Sequence, residues 1–233
     1  MITVRRSDDR GLNDWGWLQS LNTFSVGSYY DPEHMGYSAL RVLNDDTVVP
    51  SKGFPPHPHK DMEIISMVLS GVIEHKDSEG NKKTLGTCEY QLMSAGNGIT
   101  HSEYNPLDSI PLRFMQIWIE PNEAGGTPSY QQKSFSKTNG LTPIVTSTGE
   151  NGTLKIKQDM AMYQLILDGT GVAELPTNKE RLGYIHVISG SLNVNGIILN
   201  EGDGAKIAGE ESLTTSNSDD TNKVTALFFD LPK

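Results

Sequence analysis

Two short stretches hold the residues with the clearest capacity for chemistry, GFPPHPHKDME and GNGITHSEYNP. In the first, His57 and His59 are two residues apart; in the second, His101 and Glu103 are. On an extended chain, residues i and i+2 leave the same face, so each pair presents both side chains to one space. Two such pairs on neighbouring strands put three imidazoles and one carboxylate around a point. That donor set binds a first-row divalent cation and leaves one or two positions for water or substrate. Glu63, four residues after His59, is on the same strand face. Periodicity therefore leaves Glu63 and Glu103 both open as the carboxylate. The remaining histidines, His34, His75 and His186, have no such i, i+2 partner and read as solvated or satisfied core residues.

The elements that must position these pairs are strands. Pro56 and Pro58 fix their own φ and restrict the residues before them, which favours extended backbone. Pro58 offers no backbone donor, which suits a sheet edge or barrel rim. Elsewhere, short runs rich in Val, Ile, Leu and Tyr (EIISMVL, LRFMQIWI, LKIKQ, MYQLIL, GYIHVIS, VTALFF) alternate with turn-forming groups such as NDD, DSEG, DGTG and EGDG. This spacing indicates an all-β sandwich or barrel, with at most a short helical turn near Asp8–Leu18.

An internal repeat sets the organisation. MVLSGVIEH in the first half answers HVISGSLNV in the second, and Gly71 and Gly190 are 119 residues apart. Gly96 and Gly209 are 113 apart, so the first copy carries six more residues, accommodated in the polar turn DSEGNKK. Two copies imply two tandem cupin-type barrels (double-stranded β-helix, or jelly-roll). Residues 1–122 form the metal-binding barrel and 123–233 the second, divided at the Gly- and Pro-containing linker PNEAGGTPSYQQ. The two offsets map His57 and His59 onto Pro176 and Asn178, and His101 and Glu103 onto Thr214 and Ser216. None of these can replace an imidazole or carboxylate, so the second barrel is expected to hold no metal, with a structural or substrate-shaping role.

Composition narrows the partners. A net charge of −10 without a Lys/Arg cluster argues against nucleic acid. No apolar run is long enough to span a bilayer and MITVRRSDDR lacks a signal-peptide apolar region, so no membrane association is expected. One cysteine, Cys88, excludes an intrachain disulfide and fits a cytoplasmic location. Cys88 reads as a buried small hydrophobe rather than a reactive thiol.

HPH together with GITHSE, preceded by RRSDDRG and WLQSLNTFSVGSYYDPEHMGYSALRVLNDD, resembles the pirins, including bacterial pirin-like quercetin 2,3-dioxygenases. The likeness is dense over the first half and looser over the second. It departs at Asn22, where a His is expected. The resemblance implies one divalent metal per chain, held by His57, His59, His101 and Glu103, and so favours Glu103 over Glu63, although Glu63 occupies the ligand position of the general cupin pattern. Fe(II) is the implied metal; Mn, Co, Ni, Cu and Zn also suit mixed N/O donors. The implied activity is O₂-dependent opening of a quercetin-like flavonol ring with release of CO. The partners are then a small aromatic substrate and O₂, with Glu103 or Glu63 taking the substrate hydroxyl proton. Phe54, Met67, Leu92, Met93 and Phe114 are candidates to line the cavity. The same resemblance carries a rival function: a non-enzymatic, redox-sensing regulator whose metal governs binding to a protein partner.

Overall fold

The computed structural model describes every residue except 220 and 221. The described residues contain no α-helix, only 3₁₀ turns at Ser7–Asp9 and Glu150–Gly152, and no helix long and apolar enough to cross a membrane. The helical turn expected near Asp8–Leu18 is confined to Ser7–Asp9; the rest of that stretch forms a hairpin. Both halves are cupin barrels, as the repeat implies.

Two compact units divide the chain: Gly11–Ser136 with Ile156–Gln158, and Met1–Arg10 with Lys137–Lys155 and Asp159–Lys233. These units do not follow a single cut at 122/123. The first strand, β1 (Ile2–Arg5), pairs with a strand of the second unit, and the supposed linker supplies an edge strand to the first.

The unit carrying the histidine pairs comprises β2 (Gly11–Asp14), β3 (Leu18–Asn22), β4 (Leu40–Val48), β5 (Gly53–His59), β6 (Glu63–Ser70), β7 (Ile73–Asp77), β8 (Lys82–Leu85), β9 (Glu89–Ser94), β10 (Ile99–Tyr104), β11 (Leu112–Ile119) and β12 (Ser129–Ser134). A seven-stranded sheet runs β12-β9-β6-β11-β4-β3-β2 and a four-stranded one β5-β10-β7-β8. β5 is an edge strand, as its prolines require. Its register on β10 slips between His57↔His101 and Phe54↔Glu103, leaving an extra residue in the Pro55–Pro56 stretch that donates no hydrogen bonds.

The other unit adds β13 (Gly140–Thr146), β14 (Leu154–Lys155), β15 (Ala161–Leu167), β16 (Val172–Leu175), β17 (Leu182–Ser189), β18 (Ser191–Val194), β19 (Ile197–Asn200), β20 (Gly204–Ala208), β21 (Leu213–Asn217) and β22 (Val224–Leu231). Its sheets run β1-β20-β17-β22-β15-β13-β14 and β16-β21-β18-β19, the same order as in the first unit except that β14 lies parallel to β13 where β2 is antiparallel to β3. The repeat is literal at its turns. Gly71 and Gly190 both have φ near +80°, and a Cβ at either would strike the strand start opposite, Leu112 or Val224.

Strand starts align Ile99 with Leu213. The inward positions equivalent to His101 and Glu103 are therefore Thr215 and Asn217, one residue on from those the sequence offset gives. Ala173, opposite Thr215, and Leu175, opposite Leu213, stand where His57 and His59 stand in the first unit. The second interior is filled by a cluster that includes Leu165, Ile185, Val187, Leu192 and Phe228.

Candidate metal centre

Strand alternation does what the spacing promised. His57 and His59 leave β5 on one face, and His101 comes from β10 directly opposite His57. The three ring centroids form a near-equilateral triangle with sides of 4.5, 4.8 and 4.9 Å. One nitrogen of each ring lies within 4.8 Å of the others. His57 Nδ1 donates to the Pro55 carbonyl at 2.8 Å, because a carbonyl can only accept. That fixes the tautomer and leaves the Nε2 lone pair free. Burial and the neighbouring imidazoles lower the His59 pKa to about 4. Burial likewise lowers His101 to about 4, against the pull of Glu103. Both rings are thus neutral at neutral pH, the state in which imidazole binds a metal. His101 is buried, yet neither of its ring nitrogens has a hydrogen-bond partner. A buried imidazole left this way costs free energy unless something electrophilic completes it. The residues therefore fit a divalent cation.

Glu103 meets His101 from the other side, in a second group of donors within 4.8 Å that also includes His75. The sequence reading left His75 out. It faces Glu103 across the β7–β10 ladder, and its Nε2 donates to Asp77 at 2.9 Å. Asp77 also accepts from the backbone and side chain of Asn81, and its carboxyl group sits below its ordinary pKa: burial raises it, but His75 and Asn81 outweigh burial. The available signal was a third i, i+2 pair, His75 and Asp77 in IEHKD.

The Glu103 carboxylate is held by a row of polar side chains running across the inner face of the large sheet. Asn22, Asn44, Gln116, Ser66 and Gln91 are successive cross-strand neighbours on β3, β4, β11, β6 and β9. Gln116 Nε2 donates to Glu103 Oε2 at 2.8 Å, while the Ser66 hydroxyl and Gln91 Nε2 donate to Oε1 at 3.1 and 3.2 Å. Burial works to raise the Glu103 pKa; the two histidines and these donors outweigh it and keep the group below its ordinary value.

Glu63 does not join the cluster. Its Oε2 accepts from the Ser94 hydroxyl at 2.8 Å and from the Lys157 backbone N–H at 3.3 Å, and burial raises its pKa. It shares strand parity with the histidines but is hydrogen-bonded to these partners instead.

The histidines open onto a cavity of about 210 Å³, lined on its apolar side by Trp15, Leu18, Val26, Phe54 and Trp118. Trp118 meets the His59 ring edge-on at 4.9 Å. Of the expected lining residues only Phe54 lines it; Met67, Leu92, Met93 and Phe114 are fully packed in the core. The polar part of the lining is Ser20, Asn22, Asn44 and Asp46 from β3 and β4. Burial raises the Asp46 pKa to about 7, with the Ser20 hydroxyl opposing and the carboxylates of Asp45 and Glu103 adding to the rise. Cys88, expected to be buried, is half-buried in a turn at φ +69°.

Comparison with known proteins agrees with this architecture. The pirin pattern matches residues 4–119 and that of the quercetinase C-terminal cupin domain residues 143–231. The chain is 43% identical to quercetin 2,3-dioxygenase of Escherichia coli (strain K12), covering 100% of this chain and 99% of that protein. It is 41% identical to a pirin-like protein of Caulobacter vibrioides, over 96% of this chain and 98% of the relative. The crystal structure of the bacterial pirin YhhW of Escherichia coli in complex with nickel(II) superposes with a TM-score of 0.95, at 42% identity and 100% and 99% coverage. With both barrels matched and full-length relatives above 40% identity, the chain belongs to the pirin family.

Proposed function

We propose that this protein is a metal-dependent dioxygenase that opens the ring of quercetin-like flavonols with O₂ and releases CO, with His57, His59, His101 and Glu103 holding one divalent cation, Fe(II) in the cell. The observation that carries this reading is the imidazole triangle, in which His101 is buried with both ring nitrogens unpartnered while His57 and His59 line an aromatic-walled cavity. The names of the relatives support it. When bound, the cation supplies a charge that favours the ionised form of a substrate hydroxyl, and redox chemistry toward O₂.

The protein's own residues do the rest. Trp118, Phe54 and Trp15 give a planar ring apolar faces and edges to pack on and keep bulk water from it. The Pro55 carbonyl holds His57 in one tautomer, and the Gln116, Ser66 and Gln91 donors hold the Glu103 carboxylate in one orientation. Glu103, ionised and lining the cavity, takes the role of proton acceptor for the hydroxyl.

One observation favours the regulatory alternative. The cavity is smaller than the usual ligand pocket of ~300–1,000 Å³, so a three-ring substrate must project from its mouth. A metal-dependent partner protein needs no such room. Anaerobic metal loading followed by quercetin and O₂ decides between them. Stoichiometric O₂ uptake with CO release is the expected result. No turnover with Fe(II), Ni(II), Co(II), Mn(II) or Cu(II) sinks the dioxygenase reading.

A further inference from the structure

The cavity has two chemically different walls, and the polar one is incompletely used. Asp46 and Asn44 lie on the inward face of β4, while Asp45 between them points the other way and pairs with Arg113. Asp46 is 2% exposed and lines the cavity, yet its Oδ1 has no hydrogen-bond partner; nor does Asn44 Oδ1 beside it. A hydrophobic residue at 46 would pack beside Phe114 and Val48 without the destabilisation of a buried acceptor left empty. Positions that break the local rule for a stable core are where binding function is expected.

We propose that Asp46, with Asn44 beside it, is a second anchor that accepts a hydrogen bond from a ring hydroxyl of the substrate. This rests on the reading of the site as one for flavonol-like molecules, and it names their class: planar aromatics with at least two hydroxyl groups. One meets the histidine cluster and another, elsewhere on the ring system, meets Asp46. In either protonation state the carboxyl group keeps an oxygen that accepts. The apolar wall of Trp15, Phe54 and Trp118 then fixes the ring plane, while the two anchors fix its direction.

The test loads the full chain with Ni(II) under anaerobic conditions and follows ligand binding by quenching of tryptophan fluorescence. Two probes are compared: quercetin, with several hydroxyls, and 3-hydroxyflavone, which carries the metal-directed hydroxyl alone. The wild type is expected to prefer quercetin by about tenfold, one net hydrogen bond. Asp46→Val, an apolar residue of strand-compatible shape, should bring the two affinities within about threefold by weakening quercetin and leaving 3-hydroxyflavone unchanged. Asp46→Asn keeps an acceptor oxygen, should retain part of the preference, and stands in if the valine variant fails to fold. A preference that survives in Asp46→Val, or fails to exceed its Asp46→Val value in Asp46→Asn, overturns the proposal. So does equal binding of both probes by the wild type, which leaves the flavonol reading intact. If the wild type binds neither probe, the flavonol reading falls and this anchor with it.

Discussion

Exchanging each of the two glutamates for glutamine should separate metal binding from structure. Glu103 uses both oxygens: Oε1 accepts from Ser66 and Gln91, Oε2 from Gln116. In Glu103→Gln an amide –NH₂ must face one of these donors, but Gln116 and Gln91 can each turn their own amides. The variant also removes a buried charge. The net cost to folding is therefore about 1 kcal/mol or less. Metal affinity should fall much further. Losing a residue that only hydrogen-bonds a ligand costs roughly 10–100-fold, and losing a charged donor should exceed about 100-fold, near 3 kcal/mol. Glu63→Gln is the contrast. Both of its contacts use Oε2, so the amide oxygen can take that place and keep the Ser94 and Lys157 bonds. Burial already disfavours its charge. Stability should change by less than about 1 kcal/mol and metal affinity by less than about threefold. Titrating Co(II) against a chromophoric chelator, alongside urea unfolding, measures both. Glu103→Gln within tenfold of wild type, or Glu63→Gln losing more than tenfold, would refute the argument that hydrogen-bond commitment, not strand parity, decides which carboxylate serves the metal.

Other outcomes follow from the same structure. His59→Ala and His101→Ala should each abolish tight metal binding while leaving circular dichroism and cooperative unfolding in place; full occupancy against a chelator would remove that residue from the set. Elemental analysis should give one metal per chain, because Ala173, Leu175, Thr215 and Asn217 stand where the second barrel would need ligands; two equivalents would contradict this. In the second unit, the buried Asp203 accepts from Arg6, the Ser7 N–H and the Asn200 N–H. Burial raises its pKa, but those partners outweigh burial and hold the group below its ordinary value. Its contribution is thus present above the unfolded pKa, near ~3.9, and lost as pH falls through the lower folded one. Asp203→Asn should be less stable by about 1–2 kcal/mol at pH 7, with the gap closing below about pH 4 in denaturant titrations; a gap independent of pH would refute the assignment.

What was legible in the sequence was local. The His57/His59 and His101/Glu103 pairs follow from the period of a strand, and Gly71 and Gly190 announce the repeat because the same crowded turn recurs. What was not legible depended on pairing between distant strands. Glu63 and Glu103 have the same parity, and only the partners Ser94 and Gln116 tell them apart. His75 forms a local i, i+2 pair with Asp77, but its approach to the cluster depends on the β7–β10 register. Ser66, Gln91 and Gln116 interrupt apolar strands at inward positions, a visible anomaly whose meaning required the sheet order. The edge strand within the supposed linker was hidden because SYQQKS lacks apolar alternation and is held by its backbone ladder on β9 and by the Tyr130 hydroxyl, which donates to Gln91.

The placement of β1 has a consequence for biosynthesis. Strand β12 closes the first unit onto β9 through a loop of a few tens of residues. Strand β1 must find β20, with Ile2 opposite Ile207. Loop-closure entropy rises by about 0.6 kcal/mol per doubling of length, so this pairing carries a penalty larger by about 1.5 kcal/mol. During translation β1 waits, unpaired, until β20 has emerged. The histidine-bearing unit has all its strands long before that. A bulky fusion beside β1 or a short deletion within it should therefore slow or loosen the second unit, and the histidine-bearing unit can assemble before β1 and β20 have paired.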